Sequence, residues 1–510
     1  MNEPNPAATG WDPPFGRAFS RSFRFGEWIG APVTALFESW LLTRLEDSLH
    51  HQQETRIGIV APRPHHVVLS GWYFYRLDFL PVSVRAIARS LPRLVPQLLR
   101  DARRVAVVFG PFAGRGIGLY EADWHNELLP RYLASVREAT DVVERLPISE
   151  LPGLIDSLAD LAGEVFASVT VVSGFGYKTE MSLAMFVRRN LPGFGSHLPL
   201  LAGLHEPETG DDGHAIESLD WSVPTLGERG LTATTVEPAR RSALQAGRRA
   251  AESRAREALA GRKRVLATFE RLLAEAQRGV TNREAQIAHF SRPWPIFRRA
   301  LSRLGIALVE GGVIDAAADI HELRRSELEA ALAAIRSGRE FDLRSTVATR
   351  RATRAQASRL DPPLYAGRLP FLVRRLIAEG STWLATSGTP GRRELVRGSP
   401  ASPGCATGTA RVVHDLSEAA RVLPGDILVA PLTSPAWTPL FGRIGGVVTD
   451  VGSALAHASI VAREFGIPAV VGCRDATTSI VDGQLVTIDG AAGMVYATSA
   501  SETAGRVEAG

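Results

Sequence analysis

Cysteine and lysine are the chemically useful residue types that this chain uses least. Cys405 and Cys473 are the only cysteines among 510 residues, too few for a disulfide framework or a four-cysteine metal site. Only Lys178 and Lys263 among the 58 basic residues are lysines, so nearly all of the positive charge is carried by arginine. The net charge of +4 is small for this length and does not by itself indicate a nucleic-acid partner.

Long apolar runs are also absent from the sequence. No apolar stretch reaches 18 residues, so we expect no transmembrane helix and no membrane partner. The segment from Met1 to Pro14 is polar and proline-rich and has no signal-peptide core, so the expected location is cytoplasmic. A hydrophobic content of 45% is that of a globular protein, and 510 residues predict two to four domains.

The sequence contains no recognisable nucleotide or metal motif. No glycine-rich phosphate loop is followed by a lysine, and the N-terminal half has no acidic cluster suited to Mg²⁺. The polar segment from His205 to Thr235 carries several acidic residues and histidines, but their spacing fits no metal template. We therefore expect a long polar loop there and no metal site in this chain.

The most informative stretch runs from Gly446 to Gly472. Gly446 to Thr449 is a short apolar run that predicts a buried strand, and Ser453 is a plausible helix N-cap. The spacing then predicts a helix that ends at Phe465, with Gly466 as its stop. This places His457 in the first turn, among small neighbours.

A histidine in that position has a chemical use. A neutral imidazole nitrogen is a nucleophile near neutral pH, and the phosphohistidine that it forms is an anion favoured by helix N-terminal N–H groups. Position alone leaves open a histidine that only caps the helix or faces solvent.

The C-terminal segment contains a series of short motifs around the His457 helix. In chain order they are Ser399–Gly404, Gly408–Val412, Pro424–Pro431, Thr433–Leu440, Gly446–Thr449, the His457 helix with Gly466–Gly472, Asp482–Gly483 and Asp489–Gly490. In sequence and order these motifs resemble the swivelling phosphohistidine domain of the phosphoenolpyruvate-utilising enzymes, most closely the rifampicin phosphotransferase and phenylphosphate synthase type. The resemblance covers roughly 396–498 and implies that His457 is the catalytic phosphoryl carrier.

The sequence departs from the family at two places. Leu455 and Ala456 precede the histidine where the family has Thr or Ser, and Ser453 replaces a glycine, so regulation through a neighbouring threonine is not expected. A weaker resemblance over 265–335 implies that Arg283 and Glu284 contact the phosphoryl group or the acceptor. Ile287 stands where the family has a lysine.

These patterns predict a multidomain protein with a mainly α-helical N-terminal substrate-binding region and a C-terminal α/β (β/β/α) swivelling phosphohistidine domain. The predicted divisions are a disordered lead-in at 1–20, the helical acceptor-binding domain at 21–384, a hinge linker at 385–398, the phosphohistidine domain at 399–498 and a disordered tail at 499–510.

Three local predictions concern the helical region. The glycines between Val171 and Tyr177, just before Lys178, predict a break in the helical pattern. Pro238 to Gln277 predicts one long, arginine-rich helix. The aromatic residues at 71–80 indicate either hydrophobic core or a wall for a ring-bearing substrate.

Members of the family usually begin with an ATP-grasp module, and nothing in this sequence resembles one. The phosphoenolpyruvate-binding barrel of the dikinases is not expected after residue 498 either. The resemblance therefore implies a split phosphotransferase that binds no cofactor itself. A separate ATP-grasp subunit of the PEP/pyruvate-binding type, holding ATP and Mg²⁺, would phosphorylate His457, which would pass the phosphoryl group to a small-molecule acceptor.

Two other functions remain open at this stage. The chain could be a non-catalytic binding or regulatory protein that keeps the phosphohistidine-domain fold. It could also associate with RNA through the arginine-rich helix near 240–264, although the interspersed glutamates favour a salt-bridged surface.

Overall fold

A computed structural model of the chain describes most of the residues between 11 and 498. The described residues are 11, 13, 18–21, 28–58, 60, 63–76, 84–109, 114–204, 214–230, 237–360, 362–367, 393–452 and 456–498. The predicted tail, most of the predicted lead-in, most of the predicted linker, and residues 453–455 therefore lie outside the described residues. Phe19–Ser20, at the end of the predicted disordered lead-in, form a buried strand, so that prediction is wrong for these two residues.

The chain divides into two compact units that do not follow the predicted domain boundaries. Unit 1 comprises Met1–Val172, His214–Arg229 and Gln286–Leu369, and unit 2 comprises Ser173–Gly213, Gly230–Ala285 and Pro370–Gly510. The region predicted as one domain at 21–384 is thus shared between the two units.

Unit 1 is a helical assembly with a small sheet. Its sheet has the order β2-β3-β1-β4, and all of its observed pairs are antiparallel. The strands are β1 (Phe19–Ser20), β2 (His66–Leu69), β3 (Trp72–Arg76) and β4 (Tyr365–Ala366). The helices that lie wholly in unit 1 are α1 (Thr43–Ile57), α2 (Val84–Phe109, kinked at Asp101), α3 (Gly114–Asp123), α4 (Leu129–Val142), α8 (Trp294–Glu310), α9 (Arg325–Arg336) and α10 (Arg344–Ala357).

Aromatic residues fill the core of unit 1. All five residues of β3 are buried, so the core interpretation of the aromatic stretch is confirmed for residues 72–76. The polar segment predicted as a loop is anchored at its centre, because Trp221 is fully buried against Trp40 and Phe297. The loop prediction agrees with the described residues 214–230, whose longest regular element is the short 3₁₀ helix Gly227–Arg229, but the burial of Trp221 was not predicted.

Arginines of α10 bind the acidic residues at 319–327. Arg350 forms two hydrogen bonds with Glu327, at 2.6 and 2.8 Å, and Arg354 Nε donates to Glu322 at 3.0 Å. Arg351 pairs with Asp319. These carboxylates, which belong to the weaker family resemblance, thus hold α10 in place in unit 1.

Two long helices each cross a boundary between the units. α5 (Leu151–Asn190) is continuous through Gly174 and Gly176, so the predicted glycine break is wrong. A Cβ on Gly279 would lie 2.7 Å from the Gly176 Cα, so the two glycines permit a close helix crossing that side chains would block. By length and composition α5 is apolar enough to span a membrane, and 61% of its most apolar window is buried within the protein.

The arginine-rich segment predicted as one helix forms two. α6 (Pro238–Ala258) is followed by a turn in which Gly261 has φ +84°, and α7 (Lys263–Phe290) begins directly after it. Buried residues of both helices pack with α5 around Leu183, Phe269 and Leu273. Several arginines of this segment bind partners within the protein: Arg248 bonds the Ala202 carbonyl and Arg256 pairs with Glu252 and Glu270.

The C-terminal sheet domain, residues 393–498, completes unit 2. Its eight strands have the order β5-β12-β11-β7-β8-β9-β10-β6; neighbours from β7 to β10 are parallel and the others antiparallel. The elements are β5 (Glu394–Arg397), β6 (Ser399–Ser402), β7 (Cys405–Val412), β8 (Ile427–Ala430), α11 (Thr438–Phe441), β9 (Gly446–Thr449), α12 (His457–Phe465), β10 (Ala469–Val471), α13 (Ala476–Ser479), β11 (Leu485–Asp489) and β12 (Met494–Ala497).

The predicted combination of a helical N-terminal region with a C-terminal α/β domain is confirmed at this level. One boundary needs correction: β5 pairs with β12, so residues 394–397 are part of the sheet although the sequence placed them in the linker. The strand at Gly446–Thr449 agrees with its prediction, because a continuous apolar run suits a strand buried on both faces.

Two helix glycines of unit 1 give a test of this packing. A Cβ on Gly305 would lie 2.3 Å from the Ala317 carbonyl oxygen, whereas a Cβ on Gly153 would meet nothing within 4 Å. We expect Gly305→Ala to lower the free energy of unfolding by about 1–3 kcal/mol, because the backbone must move. Gly153→Ala should raise it by up to about 1 kcal/mol, because alanine favours the helix. Urea unfolding followed by circular dichroism measures both, and equal shifts for the two variants would contradict the packing.

Candidate active site

His457 is the first residue of α12 and lies in unit 2. Its N-cap is Ala456, whose backbone is extended (φ −65°, ψ 157°) and makes no side-chain capping bond. The predicted cap Ser453 and the neighbour Leu455 lie outside the described residues. α12 ends as predicted, because Gly466 adopts φ +62° and its N–H bonds the Arg463 carbonyl.

Two threonine hydroxyls bracket the imidazole ring. Thr433 Oγ1 lies 3.2 Å from Nδ1, and Thr438 Oγ1 lies 3.4 Å from Nε2. The Thr438 hydroxyl donates its proton to the Pro435 carbonyl at 2.7 Å, so its oxygen faces the ring as an acceptor. A proton on either ring nitrogen thus has an acceptor, while the other nitrogen keeps its lone pair.

The surroundings of the ring favour its neutral form. Burial, and secondly the positive charge of Arg283, lower the pKa of His457 to about 3. Phe441 adds an apolar wall, with its ring edge-on at a centroid distance of 6.0 Å. A neutral imidazole at physiological pH is the form that can act as a nucleophile.

Arg283 and Glu284 both belong to this site's surroundings. Arg283 is only 7% exposed and pairs with the Glu284 carboxylate. Its Nε is buried and has no hydrogen-bond partner, which is costly for a charged donor in the absence of a ligand. In the structure the charge of Arg283 is thus near enough to lower the pKa of His457, and Glu284 forms an ion pair with Arg283.

Sequence reasoning did not assign roles to the residues that surround the histidine. Thr433 and Thr438 were recognised only as part of a family motif, although their spacing around Pro435 places both near one ring. Ser434, between Thr433 and Pro435, is buried and its hydroxyl has no hydrogen-bond partner. Three hydroxyls in one short segment beside a histidine helix were the available signal.

Other sequence candidates are less informative. Lys178 is a residue of α5, and burial lowers its pKa. No group of three or more His, Cys, Asp or Glu residues within the described ranges is arranged to hold a metal ion. His214 Nε2 donates a hydrogen bond to the Ala288 carbonyl at 2.8 Å, whereas the acidic residues and the histidine at 205–213 lie outside those ranges.

Comparisons with known proteins give the family of this domain. Residues 422–493 match the family described as "PEP-utilising enzyme, mobile domain". The chain is 34% identical over 201 residues to the uncharacterized phosphotransferase YvkC of Bacillus subtilis (strain 168), which is 39% of this chain and 24% of that protein. It is 35% identical over 271 residues to a rifampicin phosphotransferase of Streptomyces sp, which is 52% of this chain and 29% of that protein.

A third relative is the phosphoenolpyruvate synthase of Aeropyrum pernix, 50% identical over 115 residues, or 22% of this chain and 14% of that protein. The matched stretches therefore span less than a third of each of these three relatives. With His457 at the start of its helix and the flanking motifs in order, the chain carries the mobile domain of the phosphoenolpyruvate-utilising enzymes, as its sequence predicted.

Proposed function

We propose that this chain is a cytoplasmic phosphotransferase component that carries a phosphoryl group on His457. The group would come from ATP bound with Mg²⁺ on a separate ATP-grasp subunit and would pass to a small-molecule acceptor held by the helical region. The observation that carries the proposal is the environment of His457. Its ring is neutral and has a threonine hydroxyl at each nitrogen, and the buried Arg283, whose Nε has no hydrogen-bond partner, acts on it electrostatically. The names of the relatives, phosphotransferases and a phosphoenolpyruvate synthase, support phosphoryl transfer.

The first step forms an N–P bond. A ring nitrogen of His457 attacks the phosphorus with its lone pair, and the nucleotide leaves with the electrons of the broken P–O bond. The proton stays on the other ring nitrogen, whose N–H donates a hydrogen bond to the threonine hydroxyl facing it, Thr433 at Nδ1 or Thr438 at Nε2, and this bond stabilises the positive charge that develops on the ring. This step needs the neutral ring that the surroundings favour.

The second step passes the phosphoryl group to the acceptor. Phosphoryl transfer depends mainly on positioning and on neutralising the charge of the transferred oxygens. Arg283 supplies a fixed positive charge and an unused Nε–H donor for those oxygens. Glu284 orients the guanidinium through their ion pair. It is also our candidate base, which takes the proton of the acceptor hydroxyl. The acceptor oxygen then bonds to phosphorus and displaces the histidine nitrogen.

Intact mass spectrometry tests the carrier role. Wild-type protein incubated with ATP, Mg²⁺ and a candidate ATP-grasp subunit should gain one phosphoryl group at alkaline pH, and His457→Asn should gain none. His414→Asn is the matched control, because His414 is an exposed histidine of the same domain. Phosphoramidate is a second phosphoryl donor that needs no partner protein. If it phosphorylates His457 and the candidate subunit does not, the subunit is the wrong partner and the histidine is competent. A wild type that neither donor phosphorylates would favour a non-catalytic binding role.

The pKa of His457 tests the electrostatic part. NMR titration of the ring C–H signals, assigned with His457→Asn, should give no midpoint between pH 5 and 8, because the pKa is lowered to about 3. The neutral, nucleophilic ring is therefore retained down to the acidic end of that range. Arg283→Gln should raise the pKa but leave it below 6.5, because burial is the larger cause. A wild-type midpoint near 6.5 would contradict the proposed environment.

A further inference from the structure

A buried group of charges joins α12 to the helical part of unit 2. Arg463, six residues after His457, is 2% exposed, and its Nη1 and Nη2 each lie 3.4 Å from the carboxylate of Glu180 on α5. His197 Nε2 lies 3.3 Å from the same carboxylate, and Arg463 Nε donates to the Ala401 carbonyl at 2.7 Å. Burial opposes the ionisation of Glu180, but Arg463 and His197 outweigh it and lower the pKa of the carboxyl.

Two further contacts hold the same end of α12. Glu464 Oε1 accepts a hydrogen bond from the backbone N–H of Leu204 at 3.2 Å. Leu244 of α6 packs on Gly466, so closely that a Cβ on that glycine would lie 2.8 Å from the leucine side chain. The C-terminal turn of α12 is therefore held by three segments that lie outside the C-terminal sheet domain.

The chemistry of these contacts suits a junction that opens. A buried ion pair adds little net stability compared with apolar packing, because both charges must lose their water. Once separated, Arg463 and Glu180 are solvated again. Removal of the Glu180 charge is therefore costly only in the closed state, where the ion pair is lost and water does not replace it.

We propose that Glu180 is a positioning residue that, through Arg463, latches α12 onto α5 and so holds His457 beside Arg283 for the transfer step. That the closed state serves the transfer step rests on the proposed function, whereas the docking of α12 onto α5 through Arg463 and Glu180 does not. In this state His457 faces a fixed guanidinium, whereas loading by a separate subunit requires the latch to open. A phosphoryl group on His457 then adds negative charge facing Arg283 and favours closure.

The latch is measured by the distance between two labels. Native Cys405 is exposed on β7, Ser253 is exposed on α6, and Cys473 is buried, so Ser253→Cys provides the second spin-label site. Pulsed electron paramagnetic resonance of the full chain should give one narrow distance. Glu180→Gln should lower the ratio of closed to open molecules by on the order of 100-fold and broaden the distribution, because the buried ion pair between Arg463 and Glu180 is lost.

A second opening variant and a control variant show whether the broadened distances of Glu180→Gln come from loss of docking. Leu244→Asp, which leaves Glu180, His197 and Arg463 unchanged but puts a carboxylate into the apolar contact with Gly466, should open the same junction if Glu180→Gln acts on docking rather than on folding. Glu394→Gln is the matched control, because Glu394 forms an exposed ion pair with Arg397 inside the C-terminal sheet domain. It should keep the narrow wild-type distance. Narrow distances in both Glu180→Gln and Leu244→Asp would overturn the proposal.

The His457 titration separates a latch from a merely structural role. Opening removes Arg283 and part of the burial from the ring, so the His457 pKa should rise toward 6.5 in both latch variants and stay low in Glu394→Gln. Neither measurement requires phosphorylation. If these variants open but His457 is never phosphorylated, the latch stands and the proposed function fails. If His457 is phosphorylated but the variants stay closed, the latch alone fails.

Discussion

The charge state of one imidazole is the constraint on which the site depends. The protein favours the neutral form of the half-buried His457 ring, because desolvation and the positive charge of Arg283 lower its pKa to about 3. A neutral imidazole is the form that can act as a nucleophile. The same guanidinium would suit the proposed product, because a phosphohistidine is an anion. Arg283 thus disfavours a proton on the resting ring and would favour negative charge on the loaded one.

That arrangement depends on packing far from the histidine in sequence. Arg283 is a residue of α7, which shares a core with α5 and α6, and α12 is tied to α5 through Arg463 and Glu180. The close approach of Gly176 to Gly279 lets α5 and α7 cross near this region. The helical part of unit 2 therefore contributes the charge of Arg283, and the C-terminal sheet domain contributes the imidazole of His457.

The C-terminal sheet domain could be predicted from sequence because its signals are local. A four-residue apolar run specified β9, and a glycine with positive φ specified the end of α12. The histidine and its flanking motifs also identified the family. The helical region was less predictable: the glycines of α5 indicated a break, but the helix is continuous, and Gly176 permits a close crossing with Gly279, about 100 residues away. Trp221 lies in a polar segment, and only the tertiary core explains its burial.

The pairing of Glu180 with Arg463 spans 283 residues, and no local pattern predicts it. The three hydroxyls at 433–438 were a signal in the sequence, but only the tertiary structure shows that Thr433 meets Nδ1 and Thr438 meets Nε2 of the same ring. Arg283 and Glu284 were found only through the family resemblance, because an adjacent arginine and glutamate on a helix are otherwise an ordinary surface pair. The burial of Arg283 distinguishes it from that case.

Phosphorus NMR of the loaded protein at alkaline pH tests the central claim most directly, because it distinguishes a P–N bond from a P–O bond. If His457 is the carrier, the wild type will give a single phosphoramidate-type resonance that is absent from His457→Asn, and Arg283→Gln will shift it because the facing charge is gone. A phosphate-ester resonance that persists in His457→Asn would place the group on a hydroxyl such as that of Thr433 or Thr438 and contradict the account.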